Sequence, residues 1–315
     1  MNWRKETWIY DPENHMDQFA KRMKYGANPV PIWIREDLFR IFYNVRDEQN
    51  RSYITYLDYD IVEKKIISLP GKLLVGPGLR GTFDDCGCSL GSVLDLGDKC
   101  YIYYLGWNLP RNVPWMNTIG MAVYDKKSDS CEKISPAPIM DRSSVDPLSI
   151  SYPFVLKGNT GYQMWYGSNL TWGNTTPENY DFEYVIKHAE SDDGIHFHRD
   201  GRICIQGNNL ADRVFARPAV LLEDDLYKMW YTYRGETYRI GYAESRDGLN
   251  WTRMDDKAGI EADALSAREN GEICYPFVFR HLEKLYMLYC GRRYGLTGFG
   301  LAVMADDERA GTPIL

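Results

Sequence analysis

The stretch Val214–Arg253, VFARPAVLLEDDLYKMWYTYRGETYRIGYAESRDGLNWTR, decides the fold. It holds three runs in which apolar and polar residues alternate, Phe215–Leu222, Leu226–Tyr233 and Tyr238–Ser245, and a fourth short run around Trp251. Polar breaks separate them at Glu223–Asp225, Arg234–Gly235 and Arg246–Gly248. Period-two alternation rich in aromatic and β-branched residues, broken at short intervals by turn formers, is the pattern of an antiparallel meander. Asp247-Gly248 supplies the positive φ that a tight turn needs.

The same unit recurs along the chain. Trp230 follows Pro218 by twelve residues, as Trp165 follows Pro153, Leu288 follows Pro276 and Tyr103 follows Gly91; Phe42 follows Pro29 by thirteen. The markers Pro29, Gly91, Pro153, Pro218 and Pro276 are 62, 62, 65 and 58 residues apart. A third-strand pattern recurs behind each of them, and Asp193-Gly194 before Phe197 echoes Asp247-Gly248 before Trp251. A repeat of this length with four strands is one blade of a β-propeller. A two-sheet sandwich would leave the even spacing unexplained. The expectation is an all-β, five-bladed β-propeller forming one domain over 1–315, with blades at about 27–75, 79–139, 140–206, 207–255 and 257–304. The fifth lacks an outer strand before the chain ends, and an open edge is a liability. Asn2-Trp3-Arg4 resembles Asn250-Trp251-Thr252-Arg253, and Trp8-Ile9-Tyr10 is a second candidate, so residues 1–12 are expected to close the ring. Met16–Lys24 reads as a short helix ended by Gly26.

Hydrophobic residues make up 44% of the 315, with 24 Tyr and 9 Trp, enough for a core between blades. The net charge of −7 and the lack of a basic tract argue against a nucleic-acid partner. The opening MNWRKETWIYDPENH has no apolar core of a leader, and no run approaches a membrane span. The seven cysteines are scattered without zinc spacing, as free thiols in a reducing compartment would be. A cytoplasmic protein without metal, cofactor or membrane contact is expected. Two long insertions, Asn108–Met116 and Ser168–Glu183, leave the same corner of neighbouring blades and place Trp107, Trp115 and Trp172 beside a possible pocket or a plain contact surface.

The first strand of each blade lines a propeller's channel, so residues near the markers converge there. Upstream of four markers lie carboxylates: Asp84 and Asp85, Asp146, Asp212 and Glu272. Such a ring could supply an acid and a base to a glycosidic bond, ~6.5–9.5 Å apart for inversion. Asp in these loops also forms turns, as Asp146-Pro147 suggests. Glu272, a poor turn former running straight into a strand, is the strongest candidate, with Asp85 its partner and Asp146 and Asp212 in support. Arg217 precedes Pro218, which should hold it extended, and a buried arginine must meet an anion. Asn28, Tyr152 and Tyr275 occupy matching places, and His188, a third-strand histidine, is a weaker candidate for ligand contact.

The strands Met164-Trp165-Tyr166 and Met229-Trp230-Tyr231, and the turns Ala189–Gly194 and Ala243–Gly248, resemble those of the five-bladed glycoside hydrolase families 43, 32 and 130. The resemblance implies a glycoside hydrolase or phosphorylase-like enzyme acting on a carbohydrate or a sugar phosphate. Families 43 and 32 set catalytic acids in first strands, typically in Asp-Pro settings. Here the pre-proline residues are Asn28, Tyr152, Arg217 and Tyr275, with Leu90 before Gly91, so that triad does not carry over. A carbohydrate-binding propeller without catalysis, and a scaffold for protein contacts, remain alternatives.

Overall fold

The structure, a computed structural model, describes residues 1–14, 23–173, 181–208 and 212–305. It consists of five four-stranded antiparallel meanders. The first comprises β2 (Lys24–Arg35), β3 (Leu38–Arg46), β4 (Ser52–Asp60) and β5 (Lys65–Ser68). The second comprises β6 (Gly87–Asp95), β7 (Lys99–Asn108), β8 (Met116–Asp125) and β9 (Ser130–Lys133). The third is built from β10 (Ile150–Lys157), β11 (Tyr162–Thr171), β12 (Glu183–Ser191) and β13 (Ile203–Ile205). The founding stretch folds as read, into β14 (Val214–Glu223), β15 (Leu226–Arg234), β16 (Tyr238–Ser245) and β17 (Thr252–Arg253). In the last meander β18 (Cys274–His281), β19 (Lys284–Cys290) and β20 (Phe299–Met304) are joined by β1 (Trp3–Tyr10) from the other end of the chain. Single parallel bridges, Ser52 to Gly87 and Tyr184 to Val214, merge the first four meanders into two eight-stranded sheets. The expected helix over Met16–Lys24 lies mostly outside the described residues. Lys24 opens β2 and Gly26 lies inside that strand rather than ending a helix.

Neighbouring meanders are joined by aromatic side chains that reach into the next turn. Tyr103 Oη donates to the Gly194 carbonyl at 2.8 Å, and Trp165 Nε1 donates to that of Gly248 at 2.8 Å. The receiving turns are rigid. Ser245 Oγ accepts from Gly248 N, and Asp247 Oδ1 accepts from the amides of Leu249 and Asn250. Gly194 and Gly248 sit at φ of 76° and 74°, where a side chain would be strained. The equivalent aromatic of the fourth meander, Trp230, faces a meander whose outer strand is β1. It packs edge-on against Trp3 at 6.0 Å instead of bonding to a turn. Both Trp165 and Trp230 are wholly buried, and Trp3 is 5% exposed.

Trp3 therefore ties β1 to the fourth meander, while the β1–β20 ladder joins it to the fifth. Trp3→Ala is expected to cost about 3–5 kcal/mol, measured by denaturant titration, the range for emptying a buried tryptophan site. A chain beginning at residue 12 leaves β20 a bare edge and is expected to self-associate in light scattering; a monomer with wild-type thermal stability would show β1 to be dispensable.

Candidate ligand-binding site

The markers are places where the first strands break register. The ladder slips between Ala27 and Val30, Leu90 and Ser92, Ser151 and Phe154, Ala216 and Ala219, and Cys274 and Phe277. Proline has no amide hydrogen for the ladder, so the strand bulges around it. The residue before each proline is left-handed: Asn28 at φ 53°, Tyr152 at 44°, Arg217 at 56° and Tyr275 at 55°. This corrects the expectation that Pro218 holds Arg217 extended. Asparagine adopts this region without much difficulty, but tyrosine and arginine do so at about 1–3 kcal/mol each.

The bulges gather side chains that the sequence separates widely. Tyr152 Oη donates to Tyr275 Oη at 3.2 Å, with the ring centroids 5.2 Å apart. Tyr294 stacks on Tyr275. Asn28 Nδ2 donates to Asn44 Oδ1 at 3.1 Å, and Asn44 in turn donates to the Cys88 carbonyl. Arg217 is 0% exposed and donates through Nη1 to the Gly91 carbonyl.

Above them opens a cavity of ≈ 390 Å³ lined from all five meanders, among others by Asn28 and Arg46, Ser89 and Trp107, Ser151 and Tyr152, Ala216 and Tyr238, and Tyr275 and Tyr294. Trp115 lines it too and meets Trp172 edge-on at 5.2 Å, so the two long insertions do join at one wall. Trp172 itself stands behind, against Phe182, and does not line the cavity. Among the described residues Arg46 is the one charged residue in the lining; its guanidinium lies 5.6 Å from the Trp107 ring centroid. The sequence reading passed over Arg46, Asn44 and Tyr184. The available signal was position: Asn44 and Arg46 follow the second-strand Tyr43 on the end of the strand that the marker residues also occupy.

The predicted acids lie elsewhere. Asp146 is 1% exposed and fully engaged: it accepts from Tyr166 Oη at 2.9 Å, Ser168 Oγ at 2.6 Å and Lys187 Nζ at 3.0 Å, and pairs with Arg199 Nε at 3.0 Å. The same arrangement recurs. Asp84 takes Tyr104 Oη and Lys133 Nζ, Asp255 takes Tyr231 Oη and Arg253, and Glu269 takes Tyr289 Oη and Lys5 Nζ. Asp212 is a further partner of Arg253, at 3.1 Å. Asp85 accepts from the Gly81 amide at 2.8 Å and shapes its own turn. Glu272 is half-buried and accepts from the Arg293 amide at 3.1 Å, one residue from Tyr294 of the lining. Burial raises its carboxyl above the ordinary value. No acid among the described residues lines the cavity. His188 is also absent from it; it packs against Trp165 in the core, and burial lowers its pKa.

No protein-family model matches the chain. It is 41% identical over 307 residues to the uncharacterized proteins MT1551 and Rv1502 of Mycobacterium tuberculosis (strains CDC 1551 / Oshkosh and ATCC 25618 / H37Rv), covering 97% of this chain and 100% of each relative. Among solved structures it is similar to a glycoside hydrolase at TM-score 0.70 and 16% identity, over 95% of this chain and 90% of that one. A GH43_1 enzyme from Xanthomonas citri in complex with xylose matches at TM-score 0.65 and 14% identity, over 98% and 93%. The Bombyx mori GH32 beta-fructofuranosidase BmSUC1 matches at 0.61 and 12%, over 90% and 59%. The fold is that of the family-43 and family-32 glycoside hydrolases.

Two outcomes separate scaffold from site. Asp146→Asn leaves Lys187 and Arg199 without their counter-charge and is expected to destabilise by about 3–5 kcal/mol in chemical denaturation. For His188, the unfolded chain takes up a proton near the ordinary value of 6.5 and the folded chain only at lower pH. Stability is therefore expected to fall as pH drops through 6.5, and His188→Gln to flatten that part of the melting-temperature profile.

Proposed function

The chain belongs to the family of the Mycobacterium tuberculosis proteins MT1551 and Rv1502, and for it we propose a five-bladed propeller, closed by β1, whose axial funnel binds a carbohydrate. Support for the ring comes from the first strands, which touch in a cycle: β2 with β6, β6 with β10, β10 with β14, β14 with β18, and β18 with β2. The observation that carries the ligand class is the lining. Indole and phenol side chains (Trp107, Trp115, Tyr238) stand together with amides and a hydroxyl (Asn28, Asn117, Ser151), and no acid among the described residues joins them. Aromatic faces cover the apolar faces of a sugar ring while short polar groups meet its hydroxyls. Few polar groups on an otherwise apolar concave wall is how small-molecule sites reach specificity. The X. citri neighbour, alike in fold, holds xylose.

Two-carboxylate hydrolysis has no support in this lining. Its geometry needs two acids flanking one bond. The loop acids of the second, third and fourth meanders are held by cations, hydroxyls or backbone amides instead. One observation favours a second reading, single-acid chemistry by Glu272. Its carboxyl is half-buried with a raised pKa, has a backbone amide as partner and sits beside Tyr294. Burial favours its protonated form, the form from which a general acid gives a proton to a departing oxygen.

Trp107→Ala and Trp115→Ala are expected to weaken binding of neutral pentoses and hexoses about tenfold or more in calorimetry, the weight of a central aromatic anchor. Unchanged affinities would remove the funnel from sugar recognition. Glu272→Gln separates the two readings. Any turnover of aryl glycosides, with or without inorganic phosphate, is expected to vanish while sugar binding stays.

A further inference from the structure

We propose that the guanidinium of Arg217 seats a small oxyanion, either free or carried by the sugar as its acidic group. This deepens the reading of the funnel as a sugar site and rests on it. Arg217 is wholly buried, and of its nitrogens Nη1 bonds to the Gly91 carbonyl while Nε and Nη2 have no hydrogen-bond partner. Nε and Nη2 form the side edge of the guanidinium, the edge whose parallel N–H groups match the two oxygens of a carboxylate or phosphate. No carboxylate among the described residues pairs with Arg217. The titratable groups felt most at its position are Cys290, Tyr152, Tyr275 and Cys274. Burial holds all four above their ordinary values, so they are neutral near pH 7 and offer no counter-charge.

The rest of the molecule does not treat buried charge this way. Asp84, Asp146, Lys187 and Glu269 are all buried, and every one has an opposite charge in contact. An unpaired buried ion opposes folding, and a left-handed arginine before proline adds strain. Both are accounted for if the partner of Arg217 is a ligand. Arg217 does not itself line the cavity, but its chain neighbour Ala216 does, as do Tyr152 and Tyr275, whose hydroxyls act on its charge. Arg46 puts a positive charge in the lining, where no acid stands among the described residues, in a chain whose net charge is −7. Asn28 Oδ1, also buried without a partner, offers an acceptor for a hydroxyl of the same ligand.

The test is calorimetry and thermal melting of the full chain at low salt with xylose, glucuronate, glucose 1-phosphate and inorganic phosphate, on wild type, Arg217→Met and Arg217→Lys. Wild type is expected to bind at least one of the anionic probes. Arg217→Met should lose that binding at least tenfold, Arg217→Lys should keep part of it, and both should hold xylose as wild type does. Binding of phosphate alone identifies a free ion; binding of the acidic sugars without phosphate identifies the substituent. Without ligand, Arg217→Met should melt at or above the wild-type temperature, because a group that only braces the fold would lower it on removal. A lowered melting temperature with unchanged anion affinity overturns the proposal, as does wild-type protein that binds xylose and no anion. Should neither neutral nor acidic sugar bind, the funnel reading falls, and phosphate binding alone judges Arg217. If Arg217→Met does not fold, the wild-type melt decides: no upward shift with any anionic probe sinks the idea.

Discussion

The phenol hydroxyl of the second-strand tyrosine is the group on which the meanders depend. Tyr104, Tyr166, Tyr231 and Tyr289 each reach a buried or half-buried carboxylate, and each carboxylate also holds a lysine or arginine. Nothing in the sheet ladder itself fixes the loops around it to the strands, and the latch does so by hydrogen bond and charge. Its worth lies less in the net strength of any pair than in the cost of breaking it, since removing one member strands the others away from water. Space for the phenol comes from the third strand. Gly120 is paired with Tyr104 and Gly241 with Tyr231, and a Cβ at either would collide with the ring opposite. A strand-interior glycine, ordinarily a weakness, is here a close-packing requirement.

With the latches carrying stability at one level of the sheet, the axial ends of the first strands can hold strained backbone. Four left-handed residues before proline would cost a small domain dearly, and three of them are bulky. They persist because their surroundings hold them: Tyr275 N donates to Thr232 Oγ1 at 2.7 Å, and Asn28 Nδ2 donates to Asn44 Oδ1 at 3.1 Å. Three of the four pre-proline residues, Asn28, Tyr152 and Tyr275, line the cavity. Strain and site thus coincide.

The meanders were legible because alternation survives in every strand. Phe215–Leu222, Leu226–Tyr233 and Tyr238–Ser245 fall within one or two residues of the observed strands, and the pairing of Trp3 onto the last sheet followed from its likeness to Trp251. The side on which the acids lie was not legible. Asp84 and Asp146 precede first strands, but their equivalents are Asp255, after a fourth strand, and Glu269, three residues before the favoured Glu272. A latch defined by contact with a phenol leaves no period in the sequence. The bulges were hidden for a related reason: an extra residue shifts the alternation by one at the proline, where the pattern already breaks. Proline's usual preference for an extended predecessor then pointed Arg217 the wrong way.

The latches also explain the electrostatics of the funnel. A chain with 44 acidic and 37 basic residues would be expected to show negative potential in any large concavity. Here Asp84, Asp146, Asp255 and Glu269 are turned back onto Tyr and Lys or Arg, so their charge is neutralised within four of the five meanders. What faces the cavity is neutral amide, hydroxyl and ring, with Arg46 at the wall and Arg217 below. Neighbours at 12 to 16% identity keep the same fold, so the framework tolerates replacement of most of its sequence. On the reading proposed here, Asn28, Tyr152, Arg217 and Tyr275 at the bulges suit recognition of hydroxyls and negative charge, while the proton shuttling of paired acids needs carboxylates that the described lining lacks.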